Sequence, residues 1–384
     1  MFQKQWQKLK QFPIVLLFFL FLFGFLMLDM LWPKRDFSEL ENRKLAQKPV
    51  FSLASVAAKD DPWMEKYAEY VKDQFAFRDG WIDLKSRSEA VLLKTENNGV
   101  WLGKDNYLFA KYLSVGSRFE MNLGAVERMA ERHPGKVSVM IVPSASLILS
   151  EKLPWQTPTA DEDAALDAIL QRFSGKATVY DLREALRAHK DEYIFYRTDH
   201  HWTSEGAWLA YEQFVQAHPG DFPLFDRSAA TEKQVADFYG TNYSKARNYD
   251  VVPDVITYYD LSNVLTIYTA EAGGTERAEP GPLYNYSDFE TRDKYKAFLR
   301  GNNGYSVLEG DGTGSILVIK DSYANAFLPY LTADYATIGI VDYRYLNERV
   351  DSLIERGGYD EILVLYSFQG FMNDLTLAAK IATA

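Results

Sequence analysis

Residues 315–325 read SILVIKDSYAN, an apolar run that ends in a lysine, an aspartate and a serine. The run Ser315 to Lys320 predicts a buried strand, and the residues from Tyr323 onward predict a helix. A serine at such a strand-to-helix turn lies at the carboxyl edge of a parallel sheet, where open α/β folds place their sites. Ser322 is therefore a candidate nucleophile, although Asp321 or Ser322 could instead act as the N-cap of the helix.

The segments around this stretch alternate between strand and helix patterns. Strands are predicted at 136–142, 177–181, 315–320, 337–341 and 361–366, and helices at 63–95, 160–173, 182–189, 204–218, from 323 and at 346–356. This alternation predicts an α/β fold, with a parallel sheet flanked by helices on both faces.

Residues 220–305 interrupt the alternation. They are rich in Tyr, Asn, Asp and Gly and contain β-like pieces at 254–260 and 263–269. We interpret them as an inserted cap region over the edge of the sheet. Residues 33–62, which end in Asp60, Asp61 and Pro62, predict a polar stalk, and residues 63–384 the α/β domain.

Residues 196–203 read YRTDHHWT and hold two of the five histidines of the chain. In an extended segment, residues i and i+2 point to the same side, so Asp199 and His201 can face one space while His200 faces away. A carboxylate beside an imidazole fixes its tautomer, as a general base requires. The alternative is a capping cluster, in which Asp199 binds N–H groups at the start of the 204–218 helix. The presence of Ser322 elsewhere in the chain favours the catalytic interpretation.

Composition excludes several functions. The chain has 384 residues, a formal net charge of −11 and no evident basic face, which argues against nucleic acid as a partner. It has no cysteine, so disulfides, cysteine nucleophiles and thiolate zinc sites are excluded. Two adjacent histidines without further ligand spacing make a poor zinc site, and no metal or organic cofactor is implied. The aromatic content of 15% suits either a sugar-binding surface or an aromatic core.

The N-terminus predicts a membrane anchor at residues 1–32. Residues 14–32 read IVLLFFLFLFGFLMLDMLW, in which Asp29 is the one charged residue. About 20 apolar residues span a bilayer as a helix. No small-x-small cleavage pattern follows Gly24, which favours a retained anchor over a cleaved signal peptide. A run this apolar at a terminus also disfavours the alternative of a buried hairpin helix in a soluble protein.

The residues that flank this run do not decide its orientation. Trp6 and Trp32 lie near its two ends, where interfacial aromatic residues belong. Basic residues occur on both sides of it, at Lys4, Lys8, Lys10, Lys34, Arg35, Arg43, Lys44 and Lys48. An outward-facing C-terminal domain is inferred mainly from the resemblance that follows.

The two polar motifs resemble those of a known family. Residues 196–203 are similar to the name-giving motif of the DHHW family and to the D-x-H-W motif of the SGNH-like alginate O-acetylation proteins. Residues 320–325 resemble the nucleophile motif of the same family. Further similar blocks follow the family order along nearly the whole chain, at Ser38–Ala46, Asp73–Asp79, Asn98–Gly103, Phe298–Asn303 and Val341–Tyr345.

The resemblance implies an SGNH-hydrolase-like sheet and a role for each polar residue. Ser322 would be the nucleophile, His201 the base and Asp199 its orienter, a chain order permuted relative to the standard SGNH arrangement. The residues expected to bind the oxyanion or the substrate are Asn325, Tyr323, Arg197, His200 and Arg344. The Ser322 N–H is a further candidate oxyanion donor. One departure is Ser144, which stands after Pro143 where the family pattern predicts a lysine.

The resemblance also implies a function. We expect a membrane-anchored, extracytoplasmic O-acyltransferase, most simply an O-acetyltransferase, or an esterase that acts on a cell-surface polysaccharide. Its partners would be that polysaccharide, an acyl donor and a multipass membrane O-acyltransferase. The alternative is a non-catalytic SGNH-like scaffold that binds glycan or assists such a membrane acyltransferase, because a fold does not by itself imply an activity.

Overall fold

The computed structural model describes residues 12–52, 62–218, 222–247, 250–271 and 276–381. Contacts divide the chain into two compact units, Met1–Leu93 and Lys94–Ala384. Several residues used in the sequence analysis lie outside the described ranges, namely Lys4, Trp6, Lys8, Lys10, Asp60 and Asp61.

The first unit contains the apolar N-terminal helix. Its elements are α1 (Pro13–Leu31), β1 (Phe37–Ser38), β2 (Arg43–Lys44), α2 (Trp63–Gln74) and α3 (Arg78–Val91). Helix α1 matches the predicted run and buries none of its residues. Among the described residues it is the one helix long and apolar enough to cross a membrane. The predicted helix at 63–95 is divided in two, because Phe77 adopts a left-handed φ of 57°.

Charged pairs hold residues of the predicted stalk against α2 and α3. The Arg43 guanidinium donates to both carboxylate oxygens of Asp73, at 2.8 and 2.6 Å. Arg78 donates to Glu41 at 2.7 Å, and both of these side chains are 4% exposed. These contacts join residues of the predicted stalk to α2 and α3, and all of them lie in the first unit.

Within the described residues, the second unit contains one large mixed sheet and two smaller antiparallel ones. Its strands are β3 (Glu96–Asn97), β4 (Val100–Leu102), β5 (Leu108–Ala110), β6 (Val137–Val142), β7 (Thr178–Val179), β8 (Thr231–Phe238), β9 (Asp254–Asp260), β10 (Val264–Ala270), β11 (Glu276–Pro282), β12 (Tyr305–Glu309), β13 (Ser315–Lys320), β14 (Thr337–Val341) and β15 (Glu361–Ser367). The main sheet has the order β11-β10-β12-β14-β13-β15-β6-β7, and the smaller sheets are β3-β4-β5 and β8-β9. The run from β14 to β7 is parallel, and β12, β10 and β11 continue it antiparallel.

Helices cover both faces of this sheet. They are α4 (Ser117–Arg132), α5 (Ala145–Ile148), α6 (Glu162–Phe173), α7 (Arg183–Ala188), α8 (Ser204–Ala217), α9 (Thr241–Ala246), α10 (Ala324–Phe327), α11 (Val350–Gly357), α12 (Phe368–Asn373) and α13 (Leu377–Ile381). Short 3₁₀ turns lie at Lys104–Asn106, Ser150–Lys152, Tyr286–Glu290, Lys294–Ala297 and Tyr330–Ala333. The sequence analysis did not predict α4, α5, α9, α12 or α13.

Alternate residues of the central strands enter two separate cores. Ile316 and Val318 of β13 join one cluster together with α8 and α10. Leu317 and Ile319 join the other cluster together with α4 and α6. Because successive side chains of a strand point to opposite faces, a fully apolar strand such as β13 must be covered on both sides. The predicted α/β class with flanking helices is confirmed.

The predicted cap region divides between two structures. Strands β8 and β9 form a separate antiparallel pair, with a register shift between Val235 and Phe238. Strands β10 and β11 instead extend the main sheet, because β10 pairs with β12 from Leu265↔Leu308 to Tyr268↔Tyr305. The carboxyl ends of the parallel strands β6, β13, β14 and β15 lie at a common edge of the sheet, and Ser322 follows β13 at this edge.

Candidate active site

Asp321 orders the turn that follows β13. One of its carboxylate oxygens accepts the Tyr323 N–H at 2.9 Å, and the other accepts the N–H and hydroxyl of Ser367 at 3.0 and 2.6 Å. Asp321 therefore closes the turn before α10, whose N-cap position is Tyr323 and has no side-chain capping bond, and it also ties the turn to the end of β15. The hydroxyl of Ser322 makes a different contact, with a histidine from a distant segment.

That histidine, His201, lies in a tight turn closed by a β-bridge between Phe195 and Trp202. The Asp199 carboxylate accepts the backbone N–H of His201 at 3.0 Å and also bonds its ring Nδ1. On the other side of the ring, Nε2 lies 2.8 Å from the Ser322 hydroxyl oxygen. The three side chains thus form a continuous chain of hydrogen bonds from Asp199 to Ser322.

Backbone groups near the start of α9 hold the second oxygen of Asp199. It accepts the Thr241 N–H at 2.6 Å. Gly240 allows this approach, because a Cβ built on it would lie 2.1 Å from the Cβ of Asp199. The carboxylate is 4% exposed and so depends on these partners.

A tyrosine fixes the plane of the imidazole. The ring of Tyr295 stacks on His201 with centroids 4.0 Å apart and an interplanar angle of 19°. Its hydroxyl donates to the backbone carbonyl of Ser322 at 3.2 Å. Tyr295 therefore contacts both segments that meet at the site.

His200 stays beside His201 instead of turning away, because the segment bends and is not an extended strand. The two imidazole centroids are 3.9 Å apart, and His200 Nδ1 lies 3.6 Å from an Asp199 oxygen. The carbonyl of His200 accepts the hydroxyl of Tyr323. The side chain of His200 keeps 35% of its surface exposed, whereas that of His201 keeps 6%.

Burial and neighbouring charges set the protonation states. Burial opposes ionisation of Asp199, but the charges of His200 and His201 and their hydrogen bonds lower its pKa well below the usual value. Burial, together with the charge of His200, lowers the pKa of His201 to about 4. His201 is therefore neutral near pH 7 and able to accept a proton.

Lys320 lies beneath the nucleophile turn and contacts two asparagines. Its ammonium donates to the side-chain carbonyl of Asn325 at 2.7 Å and to that of Asn302 at 3.3 Å. Since an ammonium can only donate, it fixes which end of the Asn325 amide faces it. The Asn325 amide nitrogen donates to Asn302 at 3.3 Å and has a second N–H.

The two arginines predicted to bind substrate have other contacts. The Arg197 guanidinium lies over the rings of Tyr193 and Tyr107, 4.6 and 5.7 Å from their centroids. Arg344 donates to Asp342 at 2.8 and 2.5 Å. Each arginine thus has a fixed neighbour within the protein.

Ser144 stands where the family pattern predicts a lysine, and it contacts a buried carboxylate. Ser144 donates its hydroxyl to Glu162 at 2.6 Å and its N–H at 2.8 Å. The segment after β6 therefore carries no cation at this position.

Asp199, His200 and His201 have ligand atoms within 4.8 Å of one another, close enough to hold a metal ion. Both ring nitrogens of His201 are, however, already hydrogen-bonded, to Asp199 and to Ser322. A cation would have to break one of these bonds. The arrangement fits proton transfer to and from the serine better than metal binding.

A family model described as "DHHW protein" matches residues 96–341, which include the Asp199–Trp202 turn and Ser322. The chain belongs to the DHHW family. A search of curated proteins gave no significant match.

Solved structures share the fold. A DHHW family protein from Eubacterium siraeum is 22% identical with a TM-score of 0.60, over 74% of this chain and 95% of that one. Bacillus cereus PatB1 is 19% identical with a TM-score of 0.57, over 70% and 96% of the two chains. PatB1 with a sulfonyl adduct is 19% identical with a TM-score of 0.58, over 74% and 98%.

Sequence reasoning missed one acidic residue of this DHHW protein that supports the site. Asp254, at the start of β9, accepts the N–H groups of Arg197 and Thr198 at 2.9 and 2.7 Å and the Thr198 hydroxyl at 2.6 Å. The Tyr193 hydroxyl also donates to it. Asp254 therefore anchors the backbone just before Asp199. No local pattern marks it, because its partners lie 56 to 61 positions away.

Proposed function

We propose that this protein is a serine-dependent O-acyltransferase, or an esterase, that acts on a cell-surface polysaccharide. One observation carries the proposal, the hydrogen-bonded chain from Asp199 through His201 to the Ser322 hydroxyl. Such a chain activates a serine for acyl transfer in several unrelated folds. Ser322 is the nucleophile, His201 the base and Asp199 the residue that orients the base.

In the first half-reaction the Ser322 oxygen attacks the carbonyl carbon of an acyl ester while its proton passes to Nε2 of His201. The tetrahedral intermediate collapses, the bond to the alcohol breaks, and His201 returns the proton to the departing oxygen. The product is an acyl ester on Ser322. The Ser322 N–H and the second N–H of the Asn325 amide are the proposed oxyanion donors.

In the second half-reaction His201 takes the proton of a sugar hydroxyl, which attacks the acyl-enzyme. Ser322 leaves and recovers a proton from His201, and the acyl group is now on the sugar. Water in place of the sugar gives hydrolysis. His200, Tyr323, Arg197 and Arg344 are proposed as surrounding residues that shape this site.

The proposal also covers the location of the protein and its partners. Residues 1–32 anchor the chain through α1, and the second unit lies outside the cytoplasm. The substrate is a cell-surface polysaccharide, and a multipass membrane acyltransferase supplies the acyl group. The length and composition of α1 support the anchor, and the family resemblance supports the substrate and the partner.

A sulfonyl fluoride tests the nucleophile directly, and the sulfonyl adduct of the similar PatB1 structure suggests this reagent. Full-length protein in detergent is incubated with phenylmethylsulfonyl fluoride, and the adduct is located by peptide mass spectrometry. We expect modification of Ser322 in the native protein and none in Ser322→Ala or His201→Ala. Incubation with an acetyl ester should add one acetyl group at the same residue.

The alternative scaffold function predicts a different result. A folded native protein that forms neither adduct, and whose glycan binding is unchanged in Ser322→Ala, would rule out the acyl-enzyme.

A further inference from the structure

Two neighbouring cavities lie at the carboxyl edge of the main sheet. The smaller, of about 30 Å³, has a lining that includes His200, Tyr323, Ser144 and Ser146. The larger, of about 450 Å³, begins at Ser146 and continues between the segment after β6, the start of α6 and the end of α7. Ser146 lines both cavities, so the larger cavity adjoins the smaller one, whose lining includes Asp199 and His200 of the candidate active site.

Hydroxyl groups of residues that line the two cavities are hydrogen-bonded to one another. The hydroxyl of Tyr112 bonds the carboxylate of Glu162 and lies 2.8 Å from the hydroxyl of Ser144. Ser144 in turn lies 2.9 Å from the hydroxyl of Ser146. Hydroxyl groups of this kind can donate or accept, so they suit ligands that carry many hydroxyls of their own.

The ionic groups of the larger cavity are balanced in pairs. Arg187 lies 3.0 Å from Asp163, and Lys190 lies 3.5 Å from Glu151. The remaining acid, Glu162, is buried, and this burial raises its pKa and favours its uncharged form. The lining therefore offers no unpaired cation to a polyanion.

An exposed tryptophan lies on the loop beside this cavity. Leu153 and Thr159 line the cavity, and between them the chain makes a turn in which Thr157 donates its N–H to the carbonyl of Pro154 at 3.2 Å. Trp155, within this turn, has 88% of its surface exposed. A flat ring held on a short loop beside a hydroxyl-lined cavity is suited to stack on a sugar face.

We propose that the larger cavity and the Trp155 turn form a subsite for an uncharged glycan, which extends the acceptor chain away from Ser322. This inference rests on the proposed function and specifies its substrate class. A volume of about 450 Å³ lies within the range of small-ligand sites and can hold one or two sugar residues. A polyuronate would bring carboxylates next to Asp163 and Glu151 without an unpaired cation to receive them, which disfavours it.

Binding to the Ser322→Ala full-length protein in detergent tests the subsite without turnover. Isothermal titration compares four neutral tetrasaccharides, of β-1,4-glucose, α-1,4-glucose, β-1,4-mannose and β-1,4-N-acetylglucosamine, with tetragalacturonate. We expect at least one neutral oligomer to bind about tenfold or more tighter than the uronate, with an affinity that changes little between 50 and 500 mM salt.

Trp155→Ala in the same background should weaken neutral binding by about tenfold, as expected for loss of one aromatic contact. Trp81→Ala is the matched control, since Trp81 is an exposed tryptophan of the first unit, on α3. Three results would overturn the subsite: binding by none of the neutral oligomers, uronate binding as tight as theirs, or equal effects of the two substitutions. If Ser322 of the native protein still takes the sulfonyl adduct, the proposed chemistry survives that failure. If Ser322 takes no adduct, the proposed function is wrong, whatever the binding experiment shows.

Discussion

His201 and Ser322 are separated by 121 positions in the sequence, yet Nε2 of one lies 2.8 Å from the hydroxyl oxygen of the other. The residues that follow each of them also touch, because the Trp202 indole donates to the Tyr323 carbonyl at 2.9 Å. Tyr295 adds a third link, since it stacks on His201 and bonds the Ser322 carbonyl. The pair is thus held by contacts on several sides, which is the condition for a preorganised site.

Replacing each histidine separately distinguishes their roles. His201→Ala should lower kcat for hydrolysis of an acetyl ester by roughly 1,000-fold or more, because it removes the proposed base. His200→Ala should lower it by less than about tenfold, since no contact links its ring to the Ser322 hydroxyl. Steady-state kinetics with both variants checks this, and the reverse order of effects would identify His200 as the base.

The acid limb of the pH–rate profile should report the pKa of His201. The base must be neutral, and its pKa is lowered to about 4, so kcat/KM should stay high at pH 6 and fall as the pH approaches 4. Burial is the main cause of this lowering and the charge of His200 the next. His200→Gln removes that charge, so the limb should move to higher pH. His189→Gln, at an exposed histidine, is the control and should leave the limb in place; a limb unmoved in His200→Gln would contradict the coupling.

Patterns within short segments were enough to predict much of the site. The apolar run of β13 and the serine after it predicted a nucleophile turn, and the spacing of Asp199 and His201 predicted their contact. The position of His200 was not predictable in this way, because it follows from a bend closed by the Phe195–Trp202 bridge. Asn302 and Tyr295 were missed for a related reason, since they reach the site from residues 294–302 of the long insertion.

Asp254→Asn should reduce activity although residue 254 touches neither Ser322 nor His201. The amide loses one acceptor oxygen and turns an NH₂ group toward the N–H and hydroxyl donors of residues 193–198. A hydrogen bond to a charged group is worth about 1.5–3 kcal/mol, so unfolding should become easier by about 2 kcal/mol. We also expect kcat to fall about tenfold or more as the turn before Asp199 relaxes.

Asp260→Asn is the control for this substitution, because Asp260 is also on β9 and accepts a tyrosine hydroxyl, at 2.6 Å from Tyr286. It should leave kcat nearly unchanged. Equal kcat in the two variants, measured below their melting temperatures, would show that Asp254 does not position the site.

The ion pairs within the first unit could not be predicted from the sequence. The blocks at 38–46 and 73–79 were identified separately, and their composition predicted a stalk followed by a helix. In the structure Arg43 bonds Asp73 and Arg78 bonds Glu41, so ion pairs join the two blocks. Which charges pair cannot be deduced from composition, because it depends on how the chain folds back on itself.

Arg78→Met should destabilise the first unit. It removes a guanidinium that is 4% exposed and leaves the buried carboxylate of Glu41 without this partner, which costs about 3 kcal/mol. Arg87→Met, in the same helix, disturbs an exposed pair with Asp83 and should cost less than about 1 kcal/mol. Limited proteolysis and thermal unfolding of the full-length protein in detergent measure the difference. Equal effects of the two substitutions would mean that the buried cluster does not stabilise this unit.

Lys320→Met should separate catalysis from stability. Lys320 is 1% exposed, and burial lowers its pKa to about 8. Keeping the ammonium charged at pH 7 therefore costs about 3 kcal/mol, which offsets its bonds to Asn325 and Asn302. Methionine should change the free energy of unfolding at pH 7 by less than about 1 kcal/mol, while kcat falls at least tenfold with KM unchanged, because the Asn325 amide is no longer oriented.

The pH dependence gives a second test of the same substitution. Between pH 8 and 10 the native state holds Lys320 neutral, whereas the unfolded chain still binds the proton. The unsubstituted protein should therefore gain stability relative to the Lys320→Met variant as the pH rises through this range. Chemical denaturation of both proteins at pH 7 and pH 10 measures this gain. A variant that unfolds easily at pH 7 but keeps its full kcat when folded would assign Lys320 to stability alone.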